Sequence, residues 1–207
     1  MQQNKARIIA EYEVEVRDKN GKLLSHEKGI CKSFVANFIS WLSIWFSITT
    51  PNTEASAINI NDTGNSSRAI PIQGSAYQGY YGTFSGAIGV TAFGIVIGSG
   101  NTPTTISDIA LTTLITHGTG AGQLVYNAQT QEPVSVVAPN AGVRATRTFT
   151  NNGSASVTAY EFGWYFSQYD TTGSQRFFCM MHDLFTTPQT VPVGATMTVR
   201  YKISGGN

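Results

Sequence analysis

Residues 142–166 read GVRATRTFTNNGSASVTAYEFGWYF, and their periodicity decides the fold class. Val143, Ala145, Arg147 and Phe149 alternate with Arg144, Thr146, Thr148 and Thr150. Past Asn151-Asn152-Gly153, Val157, Ala159, Glu161, Gly163 and Tyr165 alternate with Thr158, Tyr160, Phe162, Trp164 and Phe166. Successive strand residues leave opposite faces, so a period of two in β-branched and aromatic residues marks β-structure. Asn-Asn-Gly tolerates positive φ, so the stretch predicts two long strands closed into a hairpin by a tight polar turn.

The same period appears at both ends of the chain. Ile8, Ala10, Tyr12, Val14 and Val16 alternate with Arg7, Ile9, Glu11, Glu13, Glu15 and Arg17. Asp18-Lys19-Asn20-Gly21 is a turn signal, after which 22–28 return as a partner strand. Met197, Val199, Tyr201 and Ile203 alternate with Thr196, Thr198, Arg200 and Lys202, a companion for the 142–166 hairpin. Shorter strands are predicted at 57–60, 69–72, 91–98, 124–126, 133–138 and 175–183, with 187–194 as a connection. About ten strands with one early helix predict an all-β chain: an antiparallel β-sandwich, jelly-roll-like. It is expected as one domain, 1–207, with the hairpin and hydrophobic helix of 1–48 as an appendage or plug and 49–90 as an irregular Gly/Tyr/Ser-rich insertion.

Residues 33–46, SFVANFISWLSIWF, form the helix candidate, with Ser33 placed to cap it. Ser33, Asn37, Ser40 and Ser43 make one narrow polar stripe on an apolar cylinder. A helix of this length spans about 21 Å, too short for a bilayer core. Burial nearly all round is predicted, against the sandwich or a neighbouring subunit.

Composition limits function. Seven of the 13 Lys and Arg lie in residues 1–32, while 33–143 hold one base, Arg68, and four acids, Glu54, Asp62, Asp108 and Glu132. A net charge of +1 gives no footprint for nucleic acid or an anionic membrane. The charge-poor middle suggests packing against other subunits. Phe34, Phe38, Trp41 and Trp45 of the helix, with Tyr77, Tyr80 and Tyr81 of a Gly/Tyr-rich loop, are the expected assembly interface. The chain opens Met1-Gln2-Gln3-Asn4-Lys5 and runs into a charged strand, so cytoplasmic synthesis without a signal peptide is expected.

No catalytic, cofactor-binding or metal-binding constellation stands out. His26, His117 and His182 lack partners at metal-ligand spacing, and His182-Asp183 should point to opposite faces of a strand. The glycine loop at 117–122 lacks the Lys-Ser/Thr ending of a phosphate loop. Cys31 and Cys179 are either two buried thiols or one disulfide. Glu161 sits between Tyr160 and Phe162 and needs a partner if buried. Arg147, on the facing strand of the predicted hairpin, is expected to supply it as a structural ion pair.

The C-terminal half carries a resemblance. GIVIGSGNTPTTISDIALTTLITHGTGAGQLVY, TRTFTNNGSASVTAYEFGWYF and RFFCMMHDLFTTPQTVPVGATMTVRYKIS together resemble virion proteins of tailed phages and related environmental viruses. VEVRDKNGKLLSHEKGICKSFVANFISWL looks like the start of such proteins. The likeness covers 95–203 and consists of β-structure patterns rather than active-site motifs. It implies a non-enzymatic capsid, decoration, tail or fibre component, located in the virion, partnered by itself and other virion proteins. A receptor- or host-glycan-binding module is the alternative, with Trp164, Tyr77, Tyr80 and Tyr81 stacking on sugar rings.

Overall fold

The structure, a computed structural model, describes residues 7–46, 57–71, 83–137 and 140–206. Two antiparallel sheets pack face to face, as the alternation predicts. The larger contains β1 (Arg7–Arg17), β2 (Leu23–Ile30), β6 (Val125–Tyr126), β7 (Thr130–Gln131), β8 (Ser135–Val137), β9 (Asn140–Thr150) and β12 (Thr196–Gly206). Its order is β2-β1-β12-β9-β6, with β7 and β8 also pairing to β9. The smaller is β11-β10-β5, from β5 (Gly94–Gly98), β10 (Val157–Tyr169) and β11 (Gln175–Val191). A separate pair, β3 (Ala57–Asn61) and β4 (Ser67–Pro71), lies beside the smaller sheet with α1 (Ala36–Phe46).

One expectation fails at the stretch that decided the fold. β9 and β10 do not pair: β9 joins β12 in the larger sheet, and β10 joins β11 and β5 in the smaller. Residues 151–156 are therefore a crossover between layers, not a hairpin turn. Asn151 is fully buried there. Its side-chain amide donates to the carbonyls of Ala155 and Val191, each at 2.8 Å, and its Oδ1 accepts the Gly153 N–H at 3.0 Å. The predicted companion of β9 is correct: Met197 lies opposite Phe149 and Tyr201 opposite Ala145.

The core forms where inward faces meet. Tyr12, Val14, Val16, Met197, Val199, Tyr201, Ala145 and Phe149 of the larger sheet pack on Ile95, Ile97, Phe162, Trp164 and Met181 of the smaller. Phe162 sits 4.6 Å from Tyr12 and 5.5 Å from Tyr201, centroid to centroid. The outer face of the smaller sheet is covered by the irregular 99–115 segment. Gly163 makes room for it, because a Cβ there would lie 2.6 Å from Leu111 Cδ1.

α1 starts three residues later than predicted, and Ser33 does not cap it. The Ser33 hydroxyl instead meets Thr104 Oγ1 at 2.9 Å, and Phe34 and Val35 bond alongside β11 at Met181 and Met180. The helix is not buried all round. Asn37 of the expected polar stripe turns inward and donates to the Asn61 carbonyl at 2.8 Å, while Ile39 is 56% exposed. The inward amide answers an edge-strand carbonyl that an apolar side chain would leave unpaired.

β11 also runs further than predicted, through 187–191, with five of its steps, Leu184 to Gln189, set against two on β10, Glu161 to Ala159. The bulge is tied to the other layer by Glu27 of β2. Its carboxylate accepts the Thr186 and Thr187 amides at 2.7 and 2.9 Å and the Tyr12 hydroxyl.

The hairpin loop 170–174 closes on Asp170, whose Oδ1 accepts the Thr172 and Ser174 amides and whose Oδ2 accepts from Arg176. Burial works against the charged form, but the Thr172 hydroxyl, Arg176 and the two amides outweigh it and hold the carboxyl down to about 2. Its stabilising share is thus present above the ordinary aspartate value and lost as pH falls towards 2. Asp170→Ala is expected to lower stability by about 1–3 kcal/mol at neutral pH in urea titrations and to flatten the acid limb below pH 4.

Candidate functional site

Among the described residues, a buried polar group lies between the outer face of the smaller sheet and the 99–115 segment. β10 delivers Glu161, and β11 delivers His182, which lies opposite Gly163, two residues further along β10. The segment brings Asp108, 74 residues away from His182 in sequence. His182 Nε2 is 2.8 Å from Glu161 Oε2, and its Nδ1 is 2.7 Å from Asp108 Oδ2. Both ring nitrogens face carboxylates, an arrangement that favours the imidazolium, which donates from both.

Glu161 is fully buried yet fully satisfied. Its Oε1 accepts the Gly100 and Thr113 amides at 3.0 and 2.8 Å, and its Oε2 accepts the Thr112 amide at 2.9 Å. Asp108 caps its own turn by accepting the Thr105 amide and hydroxyl at 2.9 and 2.6 Å. Burial alone would push the His182 pKa down; hydrogen bonds and charge from Glu161 and Asp108 outweigh it, and the pKa is raised. Burial opposes ionisation of both acids as well. His182 and the Thr112 and Thr113 amides hold Glu161 below its usual value, and Thr105 and His182 do the same for Asp108.

Gly98 of β5 lets this group close. A Cβ there would lie 2.6 Å from the Thr113 carbonyl and collide with the Glu161 carboxylate. Gly98→Ala should therefore displace the 99–115 segment and lower the melting temperature by several degrees, roughly 2–4 °C per kcal/mol for a chain of this size.

The expected Arg147–Glu161 ion pair is not formed. The two side chains belong to different layers, because the strands that carry them do not form a hairpin. Arg147 points into the sandwich and is fully buried. Its Nε donates to Asn127 O at 2.9 Å, and its Nη1 donates to Ile95 O at 2.9 Å and Phe93 O at 3.4 Å. Its Nη2 donates to Ala87 O and Val90 O, each at 2.7 Å, and the guanidinium carbon lies 4.9 Å from the Tyr126 ring centre. Burial lowers its pKa to about 10. Still cationic at neutral pH, it pins Asn127 and the stretch from Ala87 to Ile95 through five main-chain carbonyls.

His117 lies away from this group, its Nδ1 accepting the Tyr126 amide at 3.1 Å. Asp183 points to the opposite face of β11 from His182, as expected, and accepts the Lys32 amide at 2.8 Å. Cys31 and Cys179 are both free, buried thiols whose pKa values burial raises. Among the interface candidates, Phe34 stacks on Phe38 at 4.3 Å, and Trp41 meets Phe84 and Phe166 edge-on at 5.8 and 5.3 Å. These three therefore pack largely within the chain. Tyr77, Tyr80 and Tyr81 lie outside the described residues, as does the Trp45 side chain. Trp164 is 3% exposed and donates its indole N–H to Phe84 O at 3.0 Å, so it cannot stack on a sugar.

Among the described residues one cluster has the donor types of a cation site: Glu13, Glu15 and His26, on the outer face of the larger sheet. Its charge is already met. Lys28 Nζ is 3.0 Å from Glu13 Oε1, and Arg200 Nη1 is 3.2 Å from Glu15 Oε1. A metal would have to displace both bases.

The buried group fastens the 99–115 segment to the smaller sheet. Sequence reasoning flagged Glu161 and His182 separately and missed their meeting with Asp108. No protein-family model, curated protein or solved structure matches the chain.

Proposed function

We propose that the protein is a non-enzymatic structural component of a virion, a β-sandwich that assembles in copies or docks on a capsid or tail. The observation that carries this reading is where exposed apolar side chains fall. Among the described residues, the four most exposed large apolar side chains, Ile88, Ile106, Val134 and Val136 at 67–74%, all lie in the stretch with one base and four acids, while Ile8, Ile9, Leu23, Leu24 and Ile30 are exposed to a lesser degree in the charged first 32 residues. Exposed apolar side chains suit contact with other proteins. The buried acids and His182 favour the same reading, since they are spent on fastening loops. The resemblance of 95–203 to virion proteins narrows the partner to copies of the chain and other virion components.

Sedimentation velocity with negative-stain microscopy tests it. Symmetric oligomers, or binding to particles, are expected as concentration rises. A strictly monomeric species at high concentration with no affinity for virions overturns it.

A further inference from the structure

Two hairpin loops carry one seven-residue pattern, D-x-x-x-S-x-R: DTGNSSR at 62–68 and DTTGSQR at 170–176. They are built alike. Asp62 Oδ1 accepts the Gly64 and Ser66 amides at 3.0 and 2.9 Å, and Oδ2 accepts Arg68 Nε at 2.6 Å. Asp170 does the same with Thr172, Ser174 and Arg176 at 2.9, 3.0 and 2.7 Å. Each loop has a residue of positive φ three places after its aspartate, Asn65 at 59° and Gly173 at 78°.

The two hairpins also bind each other reciprocally. The Thr63 amide donates to Phe177 O and the Thr171 amide to Ala69 O, both at 2.9 Å. In each case the donor follows one aspartate and the acceptor lies seven residues beyond the other. The pair is thus related by a local two-fold axis inside a single chain. A third loop at 18–22 repeats the aspartate-to-amide bonds, but Leu24 stands where the arginine would be. Among the described residues, that loop makes no reciprocal contact with another hairpin. Both docked loops carry the arginine, which in each bonds the aspartate of its own loop.

The docked hairpin packs on α1, where Asn37 holds the Asn61 carbonyl, and outside the main core. It rests on a second apolar cluster, Ile60, Ile70, Phe166, Phe178 and Met180, distinct from the main core. Ten residues, 47–56, join it to α1, and eleven, 72–82, lead on to Thr83. Such lengths can reach roughly 33–40 Å when extended.

We propose that the β10–β11 hairpin is a recognition surface for a D-x-x-x-S-x-R hairpin, and that on assembly it takes the 57–71 hairpin of a second copy of this chain. The exchange rests on the self-assembly proposed above and deepens it. An exchanged hairpin makes the same contacts as a retained one, so protein concentration and linker geometry set the balance. Mutual exchange closes a two-fold dimer; head-to-tail exchange extends a chain of subunits.

Complementation tests this. One variant, Asp62→Ala/Arg68→Ala, spoils the hairpin and keeps the seat. The other, Asp170→Ala/Arg176→Ala, spoils the seat and keeps the hairpin. Hydrogen exchange at the Thr171 amide of the first variant reads seat occupancy, and its peptide differs in mass from the second variant's. Alone, the first variant should lose protection there by about tenfold; mixed with the second, it should return to within about twofold of wild type. Protection in the mixture no better than alone, at concentrations where the wild type assembles, overturns exchange and leaves self-assembly standing. A wild type that never assembles defeats both. Near-UV circular dichroism checks the main core, and Arg68→Lys with Arg176→Lys replaces either variant that fails to fold, with the same readout.

Discussion

Arg147→Met is expected to cost about 4 kcal/mol, or to prevent folding, because it strips donors from five carbonyl oxygens at once. Methionine fills much of the space but donates nothing. Each buried carbonyl left without a donor loses about 1–3 kcal/mol, less whatever the loop recovers by relaxing towards water. Arg147→Lys should recover only part of the loss. Lysine keeps the charge but presents three donors from one point, whereas the planar fork reaches loop and strand together. Urea unfolding measures both. Adding Glu161→Gln to Arg147→Met should reveal coupling below about 0.5 kcal/mol, since the two residues share no partner. Coupling well above 1 kcal/mol would restore the ion pair that their alternation in sequence suggests.

The second large effect is at His182, and it depends on pH. The raised imidazole pKa means its contribution is full below the ordinary histidine value and lost as pH rises through the folded value. Glu161 and Asp108 are lowered, so theirs is full above the ordinary carboxylate values and lost as pH falls. The group thus stabilises most between the ordinary glutamate and histidine values, roughly pH 4.5 to 6.5, and its share declines from there to the raised histidine value. His182→Gln should remove the alkaline loss of stability relative to wild type. Glu161→Ala should cost about 3–5 kcal/mol near pH 6, because it orphans three amides and a buried cation. Thermal melts from pH 4 to 9 decide the matter. An unchanged wild-type slope in His182→Gln would mean that the ring is neutral when folded.

Legibility in the sequence followed the range of each interaction. The β1–β2 hairpin and the pairing of 195–203 with β9 could be read, because alternation fixes a strand's faces and adjacent turns fix near partners. The layer change at 151–156 could not. Alternation is identical whether two strands share a sheet or face each other across a core, and Asn-Asn-Gly suits both. A fuller signal was present in NNGSAS, six residues without alternation, more than a two-residue turn needs. Arg147 was readable as buried from its column with Ala145 and Phe149, but its partners are main-chain carbonyls, which leave no trace in side-chain pattern. Glu161 invited a search for a base on the nearest strand, whereas its partners come from β11 and from the 99–115 segment. The repeated D-x-x-x-S-x-R was fully visible and went unread, because its meaning lies in two loops meeting.

The register of Arg7 against Gly206 sets an order of assembly on a growing chain. The smaller sheet is complete once residue 191 has been made, since β5, β10 and β11 all lie between Gly94 and Val191. The larger sheet must wait, because β12 is both the neighbour of β1 and the strand that joins it to β9. Until then the β1–β2 hairpin has been synthesised for most of the chain's length with Ala10, Tyr12, Val14 and Val16 uncovered. Contacts of such long separation form slowly. The interval before β12 arrives is when the nascent protein is most exposed to wrong partners, and slowing synthesis near residue 196 should lengthen it.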